Sequence, residues 1–165
     1  MKQFTVKKLA SSAMVAAAYA ALTLILFPIS YGNIQFRLSE ALCLLPYSYR
    51  NSVWGLFIGC VIANLLNPAG VNALDVVFGS AATLIAGLMT ARIRRKALAP
   101  LPMAIVNGVV VGAVLAFTAT PDNFFASFWI FALEVAAGEL VVGYVVGLPL
   151  LKLFEKLRPK LKLEE

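Results

Sequence analysis

Residues 92–119 read RIRRKALAPLPMAIVNGVVVGAVLAFTA, a basic cluster followed by a long run without a charged side chain. A helix needs about 20 apolar residues to cross the hydrocarbon core of a bilayer, and this run is long enough. Lys and Arg are enriched in cytoplasmic loops, so the basic cluster is typical of the inner end of a membrane span. The segment predicts a transmembrane helix, and the rest of the chain repeats its pattern.

The composition of the whole chain indicates that lipid surrounds most of its surface. Of 165 residues, 61% are hydrophobic and 13% are charged, and the mean hydropathy is +0.88. Typical soluble domains are about 45–50% apolar and about 25% charged. The chain has no histidine, which excludes His-dependent catalytic triads and most zinc sites. Cys43 and Cys60 lie in apolar runs, and we expect them to be buried packing residues.

Charged residues divide the chain into six predicted membrane spans that form a single domain over residues 1–165. The second span is short and contains Pro46, which should kink or end its helix. It must nevertheless cross the bilayer if its neighbours are to alternate in direction. The spans cover about 9–28, 38–50, 52–67, 73–92, 98–119 and 124–151. We therefore predict an all-α integral membrane protein, a multi-pass bundle of six transmembrane helices.

The loop charges predict the orientation of this bundle. With the N-terminus in the cytoplasm, all but one of the 14 basic residues fall on the inner side, and the exception is Arg37. Both termini are then cytoplasmic. The formal net charge of +6 is thus explained by membrane topology, which argues against nucleic-acid binding.

Small residues recur at four-residue spacing, which lets helices approach closely in lipid. We expect the glycine pairs to pack inside the bundle; they are Gly55 and Gly59, Gly108 and Gly112, and Gly143 and Gly147. The alanines of the first span, Ala13, Ala17 and Ala21, line one smooth helix face. Such a face is suited to docking another membrane protein.

Ionisable side chains inside a membrane bundle are costly, so each marks a candidate functional site. Five of them are predicted to lie inside the bundle: Arg37, Glu40, Asp75, Glu134 and Glu139. Arg37 and Glu40 are three residues apart, a spacing that also fits a purely structural salt bridge clamping the first outer loop. Asp75 follows Asn72 by three residues, as in a helix cap. Glu134 and Glu139 have no such structural explanation, and we expect at least one to contact a ligand.

Amide and aromatic side chains complete a predicted pocket that opens outward. The additional candidates for substrate binding are Gln35, Asn64, Asn107, Phe125 and Trp129. A carboxylate accepts hydrogen bonds in pairs, so a glutamate suits a guanine-like edge with two adjacent donors. The amides or Arg37 would donate to the base carbonyl, the two rings would stack on the base, and Asp75 or Glu40 would meet a cationic substituent. Thiamine-like or amine ligands suit the same set of side chains.

The chain lacks the motifs of a catalytic or ATP-driven protein. It contains no G-x-x-x-x-G-K-[ST] phosphate loop, no H-E-x-x-H pair and no nucleophile elbow. It is also small for a secondary transporter that works alone by rocking inverted repeats. We therefore expect no enzymatic activity, no cofactor and no metal, and a binding subunit that takes its energy from partners.

Four segments resemble the QueT family of substrate-binding S components of energy-coupling factor (ECF) transporters. They are 28–42, PISYGNIQFRLSEAL; 55–66, GLFIGCVIANLL; 75–84, DVVFGSAATL; and GELVV at 138–142 followed by GLPL at 147–150. The likeness covers nearly the whole chain. It implies a six-helix bundle in the bacterial cell membrane that takes up queuosine precursors, 7-aminomethyl- or 7-cyano-7-deazaguanine.

The resemblance also implies partners for this chain. They are a transmembrane coupling subunit and two ATPase subunits, which alone bind ATP. Ala13, Ala17 and Ala21 would meet the coupling subunit, and the bundle would topple in the membrane to deliver its ligand. Two alternatives stay open: an S component for another vitamin such as thiamine, and a stand-alone proton-coupled carrier with Glu134 and Glu139 as its relay.

Overall fold

The computed structural model describes residues 6–30 and 36–159, and every regular element in these ranges is helical. The α-helices are α1 Val6–Ile25, α2 Phe27–Ser30, α3 Ser52–Leu65, α4 Ser80–Thr90, α5 Leu101–Ala119, α6 Phe124–Val141 and α7 Leu148–Leu157. A 3-10 helix, Leu38–Tyr47, precedes α3, and shorter 3-10 turns occupy Lys96–Leu98 and Pro121–Asn123. A π-helical turn, Asp75–Gly79, leads into α4, and a second π-helical segment, Val142–Gly147, joins α6 to α7.

The predicted all-α class is confirmed. In the described part, three helical stretches are long and apolar enough to cross a membrane: Val6–Ile25, Lys96–Ala119 and Pro121–Leu157. Shorter apolar helices occupy Leu38–Tyr47, Ser52–Leu65 and Asp75–Thr90. The six apolar stretches match the six predicted spans in order, whereas the crossing of a bilayer by each of them stays a prediction.

The last helical stretch continues to Leu157, beyond the predicted boundary near residue 151. The prediction ended the span where charged residues begin, with Lys152. A helix outside the apolar core of a membrane tolerates charged residues. Helix α7 is amphipathic, and the side chain of Leu153 is exposed on its surface. The charges therefore mark where the apolar run ends and not where the helix ends.

The second predicted span is a 3-10 helix and not a kinked α-helix. Pro46 has no N–H to donate, and the 3-10 geometry accommodates it inside the helix. A 3-10 helix rises about 2.0 Å per residue against about 1.5 Å for an α-helix, so ten residues reach about 20 Å. The segment contacts α1, α3, α4, α7 and the second π-helical segment, which places it at the centre of the bundle.

The glycine pairs pack inside the bundle, as expected. A Cβ on Gly59 would lie 2.7 Å from the carbonyl oxygen of Ala16, and one on Gly112 would lie 2.7 Å from the Cα of Ala132. Gly147 packs in the same way against the side chain of Leu44. Helix α3 therefore approaches α1 closely on the face that carries Ala16. The alanines on the other side of α1, at positions 13, 17 and 21, stay exposed.

Polar contacts gather the basic segments at one end of the bundle. Ser11 on α1 is hydrogen-bonded to the hydroxyl of Tyr49 at 2.6 Å. Ser48 donates to Glu155 on α7 at 2.9 Å, and Lys96 from the turn before α5 forms an ion pair with the same carboxylate. These contacts bring the start of α1, the loops around residues 50 and 92–96, and the end of α7 together.

Candidate functional site

A cluster of polar side chains lies in the interior, toward the bundle end opposite the basic segments. Five of the predicted site residues are buried there, and Asp75 is half-buried at its edge. The buried members are Arg37, Glu40, Asn64, Asn107 and Glu139. They come from the 3-10 helix region, α3, α5 and α6, so tertiary packing assembles the cluster from distant parts of the chain.

Glu40 is the most completely satisfied carboxylate of the cluster. The hydroxyl of Tyr19 on α1 donates to its Oε1, and the thiol of Cys43 lies 2.9 Å from its Oε2. A guanidinium nitrogen of Arg37 lies 3.9 Å from Oε1. The salt bridge that the spacing of Arg37 and Glu40 suggested is therefore present. Both carboxylate oxygens of Glu40 already have protein partners.

Tyr19 is a cluster residue that the sequence analysis missed. Its side chain is fully buried. Tyr19 lies about two helical turns after Ser12, on the same interior face of α1. The available signal was spacing: Tyr19 follows Ser12 by seven residues and Thr23 follows Tyr19 by four, which places the three polar side chains on one face of the helix. Cys43 is buried as expected, but it donates to Glu40 as well as filling space.

Glu139 and Asn107 form the second part of the cluster. The amide nitrogen of Asn107 donates to Oε1 of Glu139 at 2.8 Å, and the two side chains are 3% and 5% exposed respectively. Because a carboxylate accepts and the amide NH₂ donates, this bond orients the amide. Oδ1 of Asn107 and Oε2 of Glu139 are then buried with no hydrogen-bond partner among the described residues. Glu40 and Arg37 are the charged groups that act on the Glu139 carboxylate.

Asn64 and Asp75 form the third part, at the first π-helical turn. The amide nitrogen of Asn64 donates to the backbone carbonyl of Asp75 at 2.9 Å, which leaves Oδ1 of Asn64 buried and without a partner in the described ranges. Just before this turn, Oδ1 of Asn72 accepts from the backbone N–H of Leu74 at 3.0 Å, which orders the loop that leads into it. π-helical turns are frequent at functional sites. Asp75 lies on this turn, and the positive charge of Arg37 acts on its carboxylate.

Not every predicted site residue joins the cluster. Phe125 and Trp129 are 82% and 66% exposed, and they form an aromatic group with Phe124 and Phe128 at the start of α6. This position suits rings that face lipid, so the geometry does not support the predicted stacking on a ligand. Glu134 is half-buried and makes no hydrogen bond or ion pair with the cluster residues that the structure describes. Gln35 lies outside the described residues.

An apolar groove of about 480 Å³ lies beside the cluster, between the first π-helical turn, α5 and the start of α6. Leu74, Phe78, Val114 and Phe117 are among its lining residues, all of which are apolar. A polar ligand gains no hydrogen bonds on such walls. The groove therefore suits hydrocarbon, and the chemistry of polar recognition lies in the cluster.

The cluster is arranged to accept hydrogen bonds. Three oxygens from Glu139, Asn107 and Asn64 are buried and unsatisfied within the described part of the chain. A buried acceptor without a partner costs about 1–3 kcal/mol, so a ligand that supplies donors recovers that free energy. The cluster also holds three carboxylates, of Glu40, Glu139 and Asp75, against the single guanidinium of Arg37. The arrangement is thus suited to a group that donates hydrogen bonds.

Comparison with known proteins identifies the family of this chain. The family model described as "QueT transporter" matches residues 9–156. A curated relative, "Queuosine precursor transporter QueT" of Lactococcus lactis subsp. cremoris (strain MG1363), is 38% identical over 87 residues. That alignment covers 52% of this chain and 50% of the relative, so the two match over about half of the relative's length. No solved structure matches the chain. With nearly its whole length covered by the family model, the chain belongs to the QueT transporter family.

Proposed function

We propose that this protein is the substrate-binding S component of an ECF-type importer and captures queuosine precursors from outside the cell. The observation that carries the proposal is the set of buried, unsatisfied oxygens on Glu139, Asn107 and Asn64. A 7-deazaguanine offers donors at N1, at the exocyclic amine and at N9. A 7-deazaguanine is also a queuosine precursor, the kind of molecule for which the Lactococcus relative is named.

Glu139 is the residue that we assign to the guanine-type edge. Its free Oε2 and its Asn107-bound Oε1 face two adjacent N–H donors of the base, as a carboxylate can accept at both oxygens. Glu139 is preferred to Glu134 because only Glu139 is buried within the polar cluster. Arg37, held beside Glu40, is placed to donate to the base carbonyl.

The topology proposed for this function has six membrane spans and both termini in the cytoplasm of a bacterial cell. Support comes from the contacts that collect the basic segments at one bundle end, the end expected inside the cell. The polar cluster then lies toward the outer face, where a ligand enters. The chain forms a single membrane domain in this proposal.

The energy for import comes, in this proposal, from partner subunits and not from this chain. Ala13, Ala17 and Ala21 form an exposed, smooth face on α1, on the side turned away from α3. Small residues on such a face permit close helix packing in lipid. We assign this face to the transmembrane coupling subunit, with ATP bound by two ATPase subunits and the S component toppling to release its ligand.

Binding by the purified protein tests the proposal. Calorimetric titration with 7-aminomethyl- and 7-cyano-7-deazaguanine is expected to show saturable one-to-one binding of at least one of them. Glu139→Gln should weaken that binding by about 2–4 kcal/mol, because a buried charged hydrogen bond is lost. Glu134→Gln is the matched control on the same helix and should bind as the wild type does. Absence of binding by folded protein, or normal binding by Glu139→Gln, would contradict the assignment.

Transport separates this proposal from a stand-alone carrier. Liposomes that contain only this chain should show no uptake under a pH gradient, whereas liposomes with the coupling subunit and ATPases should import the ligand when ATP is supplied. Uptake by the chain alone, abolished by either Glu134→Gln or Glu139→Gln, would identify a proton-coupled carrier instead.

A further inference from the structure

We propose that a pocket at the basic end of the bundle binds an anionic phospholipid of the cytoplasmic leaflet. The pocket has a volume of about 150 Å³ and lies between the first turn of α3 and the last turn of α4. Its lining residues are Arg50, Val53, Leu88, Ala91 and Arg92. Two guanidinium groups thus stand beside an apolar wall, which matches a phosphate headgroup joined to hydrocarbon. The proposal goes beyond the ligand site at the other end of the bundle and shares with the proposed function only the membrane topology.

Hydrogen bonds of the backbone fix the positions of both arginines. The carbonyl of Arg50 accepts from the N–H of Val53 at 3.2 Å, so Arg50 lies one turn before Val53 at the start of α3. The N–H of Arg92 donates to the carbonyl of Met89 at 2.9 Å, which places Arg92 just beyond the end of α4. The two arginines therefore reach the pocket from different helices, and the packing of α3 against α4 creates the site.

The two guanidinium groups have donors available for an anion. Both side chains are exposed. Nη1 of Arg92 donates to the carbonyl oxygen of Leu88 at 3.1 Å, which holds this guanidinium at the wall of the pocket. Since an arginine has five N–H donors, this bond leaves others of Arg92 for a ligand. Neither Arg50 nor Arg92 forms an ion pair with any acid among the described residues.

An apolar surface for acyl chains leads from the pocket along the same two helices. They pack closely here, since a Cβ on Gly87 would lie 3.5 Å from the side chain of Val53. Leu88 and Ile85 are exposed and three residues apart, so they follow one another on one face of α4 toward the membrane core. Trp54, in the first turn of α3, is also exposed, and tryptophan is enriched at the depth of the lipid headgroups. The arginines therefore lie at headgroup depth, with hydrocarbon contacts deeper in the bilayer.

The charge of the pocket favours an anionic over a zwitterionic lipid. A guanidinium binds two phosphate oxygens with parallel hydrogen bonds. A headgroup with a net negative charge is attracted by both arginines, whereas the ammonium group of phosphatidylcholine is repelled by them. Basic pockets between membrane helices on the cytoplasmic side bind anionic headgroups in this way.

Native mass spectrometry of the wild-type protein in detergent tests this selectivity. Titration with phosphatidylglycerol should give one retained lipid, bound about tenfold more tightly than phosphatidylcholine with the same acyl chains. A large excess of inorganic phosphate should not displace it, because free phosphate makes no contact with the apolar wall. Equal retention of the two lipids would overturn the proposal. Displacement by phosphate would identify a site for free anions and would also overturn it.

Variants assign the selectivity to the two arginines of the pocket. Arg50→Gln/Arg92→Gln should lower the affinity for phosphatidylglycerol about tenfold. Arg94→Gln/Arg95→Gln is the matched control, since it removes two charges from exposed residues at the same end that do not line the pocket. The control should lower the affinity by less than about twofold. Equal losses in the two variants would show general attraction by the basic end and contradict the assignment.

The single variant Arg50→Gln keeps the test decisive if the double variant does not fold. It leaves the hydrogen bond between Arg92 and Leu88 intact and should lower the affinity for phosphatidylglycerol about threefold. An unchanged affinity in folded Arg50→Gln would contradict the proposal.

Titration of the same variants with 7-aminomethyl- and 7-cyano-7-deazaguanine separates this proposal from the proposed function. Arg50→Gln/Arg92→Gln should bind these bases as the wild type does, because the polar cluster lies toward the opposite end of the bundle. Binding of a base without lipid selectivity would overturn the lipid site and leave the proposed function standing. Lipid selectivity in a protein that binds neither base would contradict the proposed function and support the lipid site.

Discussion

Replacing Tyr19 with phenylalanine removes one hydroxyl from the centre of the bundle. That hydroxyl donates to Oε1 of Glu40 and is fully buried. Without it, the buried carboxylate loses one of its donors. Removing a donor to a charged, buried acceptor costs about 1.5–3 kcal/mol. For a chain of this size, such a loss lowers Tm by about 3–12 °C, at about 2–4 °C per kcal/mol.

Tyr49→Phe provides the matched control for this substitution. Tyr49 is 2% exposed and is hydrogen-bonded to Ser11 at 2.6 Å, but its partner is neutral and lies at the basic end of the bundle. Loss of a neutral hydrogen bond costs about 0.5–1.5 kcal/mol, so Tyr49→Phe should lower Tm by less than Tyr19→Phe does.

The assay combines thermal unfolding in detergent with ligand titration of both variants. Tyr19→Phe is also expected to weaken ligand binding, because Glu40 then draws more strongly on Arg37, which the proposed site uses. Tyr49→Phe should leave binding unchanged. Equal changes in Tm for the two variants, together with unchanged ligand affinity for Tyr19→Phe, would refute the assignment of Tyr19 to the binding cluster.

Two further predictions concern helix packing and the exposed face of α1. Gly59→Ala places a Cβ 2.7 Å from the Ala16 carbonyl oxygen and should destabilise the protein by about 1–3 kcal/mol in thermal unfolding. Gly87→Ala, whose nearest contact would be 3.5 Å away, should change stability by less than about 1 kcal/mol; an equal loss for both would contradict the packing argument. Ala17→Trp should leave ligand binding by the isolated chain intact and reduce ATP-driven uptake in reconstituted liposomes, whereas Ala137→Trp, at an exposed position of α6, should not. Normal uptake with Ala17→Trp would rule out this face as the docking surface.

The helical class and the order of the apolar helices were predictable because the membrane imposes a simple rule on sequence. A backbone in lipid must satisfy its own hydrogen bonds, so a long uncharged run is helical. Residues 98–119 obey this rule, and α5 ends at the predicted residue, Ala119. The local geometry around Pro46 was not predictable, because apolar composition does not distinguish a 3-10 helix from an α-helix.

The candidate site was predictable in part for a similar reason. A carboxylate or an arginine at membrane depth is costly, so Arg37, Glu40 and Glu139 stood out by their position alone. The choice between Glu134 and Glu139 did not follow from the sequence, since it depends on how α6 is rotated against α5. For the same reason the sequence did not exclude Phe125 as a stacking residue.

The sequence by itself determined that this protein is a bundle of apolar helices with a small set of acids, amides and one arginine inside it. The cost of burying a polar side chain and the preference of basic residues for one side of a membrane depend on each residue by itself. Both can therefore be evaluated from the sequence alone. Only the tertiary structure decided which polar atoms are already satisfied, as in Glu40, and which are buried without a partner among the described residues, as in Glu139 and Asn107. Hydrogen bonds between distant segments depend on distances of tenths of an ångström, which the packing of helices sets and the order of residues does not reveal.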